Sequence, residues 1–158
     1  MEHLQSQPES KVMLVVSEWP IYARRLYQHE TDSDGVCHFS NYFRIAEEAL
    51  FFGLLRIGCA VPINTRLVVR EATGVYLKSL RAHSEFSVKL SAVQISRATF
   101  GLIFDILVGD TNTTVLKLKF ACVNTETDQP SPLPLDLKCS LIDIQHNLSQ
   151  GRSNGKQN

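Results

Sequence analysis

The chain has 158 residues, of which 44% are hydrophobic and 20% charged, and this composition fits one soluble globular domain with a proper core. Basic and acidic residues number 16 each and no basic run stands out, so nucleic acid is not an expected partner. No apolar run approaches the roughly 20 residues that span a bilayer, and the four cysteines lack metal-ligand spacing. We therefore expect a cytoplasmic protein with reduced thiols, no metal or cofactor and no membrane contact.

The first predicted elements are short strands that lead into one helix. Residues 11–17 and 21–28 are β-like on either side of a Trp19-Pro20 break. A turn over residues 30–35 follows, and the pattern then predicts a helix over residues 41–57.

The second half of the chain is rich in β-like segments. They lie at residues 66–70 with a continuation at 74–77, then at 84–94, 98–108 and 113–124. Apolar and polar residues alternate over 84–90, which indicates an antiparallel sheet buried on one face. We expect one domain over residues 11–144, with flexible termini at 1–10 and 145–158.

The predicted helix is apolar around most of its circumference. At 100° per residue, Phe43, Leu50 and Leu54 share one face, while Phe51 and Leu55 spread apolar surface beyond it. Such a helix is mostly buried, which predicts an α+β fold with an antiparallel sheet wrapped around it. Another subunit is expected to cover the apolar surface that remains.

Glu47 falls inside the apolar stripe of this helix. A carboxylate in that position is costly unless it is paired or used. Two interpretations stay open: a structural partner for a buried arginine or backbone group, and a residue of the functional site.

Carboxylates cluster on the turn before the helix, where Glu30, Asp32 and Asp34 accompany Gly35. A reactive acid beside a helix N-terminus can act on a carbonyl, because unpaired N–H groups and the positive dipole end stabilise a developing oxyanion. Asp, Ser and Asn before a helix are also ordinary caps, so capping remains the alternative.

A longer motif surrounds this turn. Its members are Glu30, Thr31, Asp32, Gly35, Val36, Asn41 and Tyr42, followed later by Tyr76, Leu77 and Lys78. Together with the element order over about residues 21–123, this motif resembles the hotdog-fold acyl-CoA thioesterases of the 4-hydroxybenzoyl-CoA thioesterase type. The resemblance implies a hotdog fold, in which an antiparallel sheet wraps around one long central helix.

The resemblance also implies catalytic roles. Asp32 corresponds to the catalytic carboxylate, acting either as a nucleophile or as a general base toward water, and no metal is required. The backbone N–H of Phe39 corresponds to the oxyanion donor, with Glu47 and His38 as candidate helpers.

The resemblance further implies a set of substrate contacts. The candidate substrate-binding residues are Gly35, Val36, Asn41, Tyr42, Lys78 and Arg81. Lys78, Arg81 and His83 form a small basic cluster, which is either a solvated face or a contact for the phosphates of CoA or phosphopantetheine.

The chain departs from the family pattern near the site. The family's histidine is either shifted to His38 or absent. His38 itself is either a solvent-facing loop residue or an acid/base or substrate-contacting group. Asp34 adds negative charge beside Asp32, and Ser79 replaces the expected proline. Cys37 lacks an evident His–acid pair, so we do not expect it to be a nucleophile.

We favour a thioesterase that hydrolyses an acyl-CoA or acyl-carrier-protein thioester, in a specialised biosynthetic pathway. The alternatives are a hotdog hydratase or dehydratase and a non-catalytic thioester-binding protein. A homo-oligomer is expected in each case, at least a dimer or else a tetramer of two dimers, because a single curved sheet leaves an edge strand uncovered.

Overall fold

The computed structural model describes residues 22–154 of the chain. Its elements are β1 (Tyr22–Arg25), a 3₁₀ turn (Gln28–Glu30), α1 (Phe39–Arg56), β2 (Thr65–Tyr76), β3 (Glu85–Ile95), β4 (Thr99–Val108), β5 (Thr111–Asn124) and α2 (Leu135–Asn154). The predicted strand at residues 11–17, the Trp19-Pro20 break and the N-terminal segment 1–10 lie outside the described residues. No helix within residues 22–154 combines the length and apolar character needed to cross a membrane.

The five strands form one antiparallel sheet in the order β1-β3-β4-β5-β2. In β4 every second side chain, from Phe100 to Ile106, is buried, and β3 alternates in the same way from Phe86 to Leu90. This period of two means that one face meets the core, which confirms the predicted half-buried antiparallel sheet. Register shifts in β2, β3 and at the end of β4 accompany the curl of the sheet.

Helix α1 lies against the buried face of the sheet. Its buried residues Tyr42, Ile45, Ala46, Ala49, Leu50 and Leu54 belong to the same apolar core as the inward side chains of β3, β4 and β5. The helix begins at Phe39, two residues before the predicted start, because His38 takes the N-cap position. The predicted arrangement of a sheet around one long helix is confirmed.

The outer face of α1 differs from the prediction of a mostly buried helix. Phe51, Phe52 and Leu55 are exposed by 47%, 42% and 77%. Only the stripe that faces the sheet is covered within the described chain, since the sheet reaches one side of the helix.

Helix α2 was not predicted, and it extends through residues 145–154, where a flexible end was expected. The sequence of α2 is mostly polar, but Leu137, Leu141 and Ile144 recur at helical spacing and form a buried stripe. The helix is also tied to β3, because Gln145 Nε2 donates to the carbonyl of Val93 at 2.8 Å. A second bond, from Arg152 Nη2 to the Ser91 carbonyl, has the same length.

Candidate active site

Asp32 begins a tight turn that fixes one of its carboxylate oxygens. Its backbone N–H donates to the Val36 carbonyl at 2.8 Å, and Gly35 N–H donates back to the Asp32 carbonyl at 3.1 Å. Asp32 Oδ1 accepts from the backbone N–H groups of Asp34 at 2.9 Å and Val36 at 3.1 Å. Gly35 has a φ of +70°, a left-handed conformation that favours glycine. Asp32 is exposed, and its Oδ2 has no hydrogen-bond partner within residues 22–154.

The first turn of α1 offers one unused backbone donor. The N-cap residue His38 accepts from Ser40 N–H through Nδ1, and its carbonyl accepts from Asn41 N–H at 2.9 Å. Phe39 N–H, by contrast, has no partner in the part of the chain that the structure describes. Because the positive end of the helix dipole lies here, this amide suits a negatively charged oxygen.

A pocket with a volume of about 480 Å³ joins the turn, the helix start and the segment after β2. The residues that line it are Asp32, Val36, Cys37, His38, Phe39, Tyr42, Tyr76, Leu77, Lys78 and Ser79. The predicted catalytic carboxylate and the predicted oxyanion donor therefore lie on the walls of one cavity. Val36, His38, Tyr42 and Lys78, also singled out from the sequence, line the same cavity.

Three further predicted residues lie close to this pocket without lining it. Gly35 shapes the turn, and its carbonyl accepts from Ala82 N–H at 3.0 Å. Asn41 lies behind the turn, where Nδ2 donates to the Glu30 carbonyl at 2.7 Å. Arg81 forms a β-bridge with Val36, and its side chain is exposed, as are those of Lys78 and His83.

Glu47 is the predicted site residue that the structure leaves apart. It is half-buried on α1, is absent from the pocket lining, and makes no ion pair within residues 22–154. The neighbouring Glu48 takes the structural role proposed for Glu47, since it pairs with Arg24 at 3.1 Å. The difference is one position on the helix, a rotation of 100°.

A buried ion pair behind the turn was missed in the sequence. Both guanidinium Nη atoms of Arg24 donate to the Glu30 carboxylate at 2.7 Å, and Tyr27 N–H adds a third bond at 2.8 Å. The hydrogen bonds from Arg24 lower the pKa of Glu30, so the carboxylate is held ionised although it is buried. An arginine at an inward position of β1 was the available signal, because such a charge requires a partner.

This ion pair also connects to the helix start. The Glu30 carbonyl accepts from His38 N–H at 3.0 Å as well as from Asn41 Nδ2. The bonds that fix Glu30 therefore set the position of the Asp32 turn relative to the Phe39 amide.

The thiol of Cys37, one of the residues that line the pocket, is not an activated nucleophile. Cys37 is buried, and burial together with the charge of Glu30 raises its pKa to about 12. Burial likewise raises the pKa of Tyr42, whose ring meets that of Tyr76 edge-to-face at 5.0 Å. Across residues 22–154, no group of three or more His, Cys, Asp or Glu side chains is arranged to hold a metal ion.

Comparisons with known proteins point to one family. The model of the Thioesterase-like superfamily matches residues 27–141. A "Putative esterase" of Aquifex aeolicus is 35% identical over 102 residues, which cover 59% of this chain and 80% of that protein. A 1,4-dihydroxy-2-naphthoyl-CoA hydrolase of Microcystis aeruginosa is 23% identical over 122 residues, covering 74% of this chain and 88% of that protein.

The solved structures agree with this match. A 1,4-dihydroxy-2-naphthoyl-CoA thioesterase from Synechocystis superimposes with a TM-score of 0.71 at 19% identity, over 79% of this chain and 96% of that one. A thioesterase from Bartonella henselae, described as probable, gives a TM-score of 0.64 at 23% identity, over 72% of this chain and 96% of that one. The predicted hotdog fold is confirmed.

Proposed function

The chain belongs to the thioesterase-like superfamily, a family of acyl thioester hydrolases, and from that premise we propose that it cleaves acyl-CoA with Asp32 as the catalytic carboxylate. One observation carries the assignment of residues. Asp32, whose Oδ2 has no partner within residues 22–154, and Phe39, whose backbone N–H has none there either, line the same pocket. They lie on two segments that the Glu30 carbonyl ties together.

The proposed reaction uses these two groups on the thioester carbonyl. The Phe39 N–H donates to the carbonyl oxygen and stabilises the negative charge that develops there, with support from the dipole of α1. Asp32 then either attacks the carbonyl carbon or takes a proton from an attacking water. In the first route the C–S bond breaks, the thiol leaves, and water opens the resulting mixed anhydride. In the second route water itself replaces the thiol.

The remaining pocket residues suit the two ends of an acyl-CoA. The rings of Phe39, Tyr42 and Tyr76 provide apolar surface for an acyl group. Lys78, which lines the pocket, and Arg81, whose backbone pairs with that of the pocket residue Val36, are exposed cations that we expect to meet the phosphates of CoA. The Microcystis and Synechocystis relatives are named for an aromatic acyl-CoA, so aromatic thioesters belong in the first substrate panel.

We further infer that the active form is an oligomer. Strand β2 is an edge of the sheet over 12 residues, and it exposes Val69 and Val75 by 41% and 57%. Pairing of two β2 edges would satisfy their backbone groups and cover this surface. The exposed apolar face of α1, which carries Phe51 and Leu55, offers a second contact that joins two dimers into a tetramer.

The function is tested by offering aromatic and aliphatic acyl-CoAs to the purified protein and measuring free thiol. Wild-type protein is expected to release thiol, and Asp32→Ala to lower kcat at least about 100-fold. Asp110→Ala, which removes an exposed carboxylate from the β4–β5 turn, is the matched control and should retain the rate. Equal thiol release by wild type and Asp32→Ala would remove Asp32 from the mechanism.

Two other outcomes of the same panel would overturn the proposed reaction. Loss of enoyl absorbance without thiol release would identify a hydratase. Thermal stabilisation by acyl-CoAs without turnover over hours would identify a thioester-binding protein.

A further inference from the structure

Tyr76 is the last residue of the edge strand β2, and its side chain projects from the core face of the sheet. In the register of β2 with β5, Tyr76 lies opposite Thr114 and Gly74 lies opposite Leu116. Residues directly opposite each other share a face of the sheet, and both Thr114 and Leu116 are fully buried. The side chain of Tyr76 therefore projects from the core face, on the side of α1.

The ring of Tyr76 is folded back along its own strand. A Cβ added at Gly74 would lie 2.9 Å from the hydroxyl oxygen of Tyr76 and 3.1 Å from its Cζ. The same atom would lie 3.2 Å from Leu116 Cδ2, so the site is closed on two sides. The φ of Gly74 does not lie in the left-handed region, so a side chain is opposed here by the Tyr76 ring and Leu116, and a methyl group would displace the ring.

A second ring holds Tyr76 from the side of α1. The Tyr42 and Tyr76 centroids are 5.0 Å apart at an interplanar angle of 61°, an edge-to-face contact. Tyr42 is buried, whereas Tyr76 is 46% exposed, and both line the 480 Å³ pocket. The Tyr76 ring therefore packs against Gly74 and Tyr42, and the part of the ring that does not contact them is exposed.

We propose that Tyr76, seated on Gly74 and braced by Tyr42, is the wall that limits the size of the acyl group accepted by the pocket. The inference rests on the proposed acyl-CoA function, since it names a specificity determinant of that site. It follows that removing the ring extends the pocket along β2 over Gly74. Adding a methyl group at Gly74 has the opposite effect, because the ring must move from its seat into the pocket.

The two substitutions make a double-mutant test. Tyr76→Ala is expected to move the preference toward longer acyl groups, with a gain of about fourfold in affinity for each methylene that enters the vacated space. Gly74→Ala is expected to move the preference toward shorter acyl groups when Tyr76 is present. In the Tyr76→Ala background Gly74→Ala should change little, because no ring remains to be displaced. Thr73→Ala, an exposed residue on the opposite face of the same strand, is the control.

The measurement is the affinity of S-alkyl-CoA thioethers of increasing length, by titration calorimetry, for the four variants and wild type. Thioethers carry no carbonyl to hydrolyse, so the length profile is read without turnover. A profile that Tyr76→Ala leaves unchanged would overturn the inference, as would an equal effect of Gly74→Ala in both backgrounds. A shifted profile in a protein that hydrolyses no acyl-CoA would instead support the wall and reject the proposed reaction.

Discussion

Replacement of Glu30 by glutamine tests whether the buried ion pair supports the site. Glutamine keeps the shape of the side chain but replaces one of the two accepting carboxylate oxygens with an NH₂ group. That group is itself a hydrogen-bond donor, so it faces an N–H of Arg24 at a position where the carboxylate accepted a 2.7 Å hydrogen bond. The change leaves the half-buried Arg24 with only Glu48 as a charged partner, at 3.1 Å. Removing one partner of a fully buried pair costs about 3–5 kcal/mol, and we expect the lower limit because Arg24 is half-buried and Glu48 remains.

A loss of about 3 kcal/mol corresponds to a fall in Tm of about 6–12 °C for a chain of this length. Thermal and urea unfolding followed by circular dichroism, at one fixed protein concentration, measures it. The matched control is Glu85→Gln, because Glu85 pairs with Arg25 at 3.1 Å while its side chain is 79% exposed. An exposed pair of this kind contributes at most about 1 kcal/mol.

The pH dependence of the difference in stability between wild type and Glu30→Gln gives an independent check. The pKa of Glu30 is lowered in the folded state by its bonds to Arg24, so the stabilisation is complete above the unfolded pKa of about 4.3. It is lost as the pH falls through the folded pKa. The gap between wild type and Glu30→Gln should therefore be widest near pH 7 and narrow in acid. A loss of stability equal to that of Glu85→Gln, or one that does not change with pH, would show that the Arg24–Glu30 pair does not stabilise the fold.

Three further predictions concern the turn, the thiols and the outer face of α1. Asn41→Ala should lower the free energy of unfolding by about 1 kcal/mol and also lower kcat, because it removes the 2.7 Å hydrogen bond between the helix start and the Glu30 carbonyl. Urea unfolding measures the first effect and the thiol-release assay the second. A disulfide reagent should modify the exposed Cys139 quickly in the native protein, while buried Cys37, whose pKa is raised to about 12, reacts only after unfolding. We expect Leu55→Arg to convert the proposed tetramer to dimers in sedimentation, and a tetramer that this substitution leaves unchanged would exclude this face from the contact.

The half-buried antiparallel sheet and the long helix could be predicted because they are encoded locally, whereas the hotdog fold and the reaction class were predicted from the resemblance of the motif around Asp32 to the thioesterase family. The alternation of apolar residues sets which face of each strand is buried, and the 3.6-residue period identifies α1. The turn that carries Asp32 and the start of α1 that carries Phe39 are only seven residues apart. Short-range turn and cap chemistry therefore brings them to one pocket.

The features that escaped prediction depend on contacts between distant segments. Glu48 meets Arg24 across 24 residues, and a helical wheel alone does not tell which of two adjacent glutamates faces the partner strand. The exposed face of α1 carries residues as apolar as those of its buried face, so composition does not separate them. The mostly polar α2 forms a helix because Leu137 and Leu141 pack in the core and the Gln145 side chain donates a hydrogen bond to β3.

A structure with an inert acyl-CoA ketone, in which a methylene group replaces the thioester sulfur, would show whether Asp32 and the Phe39 amide act on the same carbonyl. We expect the ketone oxygen about 2.7–3.1 Å from Phe39 N, with an Asp32 carboxylate oxygen about 3–3.5 Å from the carbonyl carbon or one water away. A ketone bound away from the start of α1, or an Asp32 carboxylate beyond the reach of a single water, would contradict this expectation.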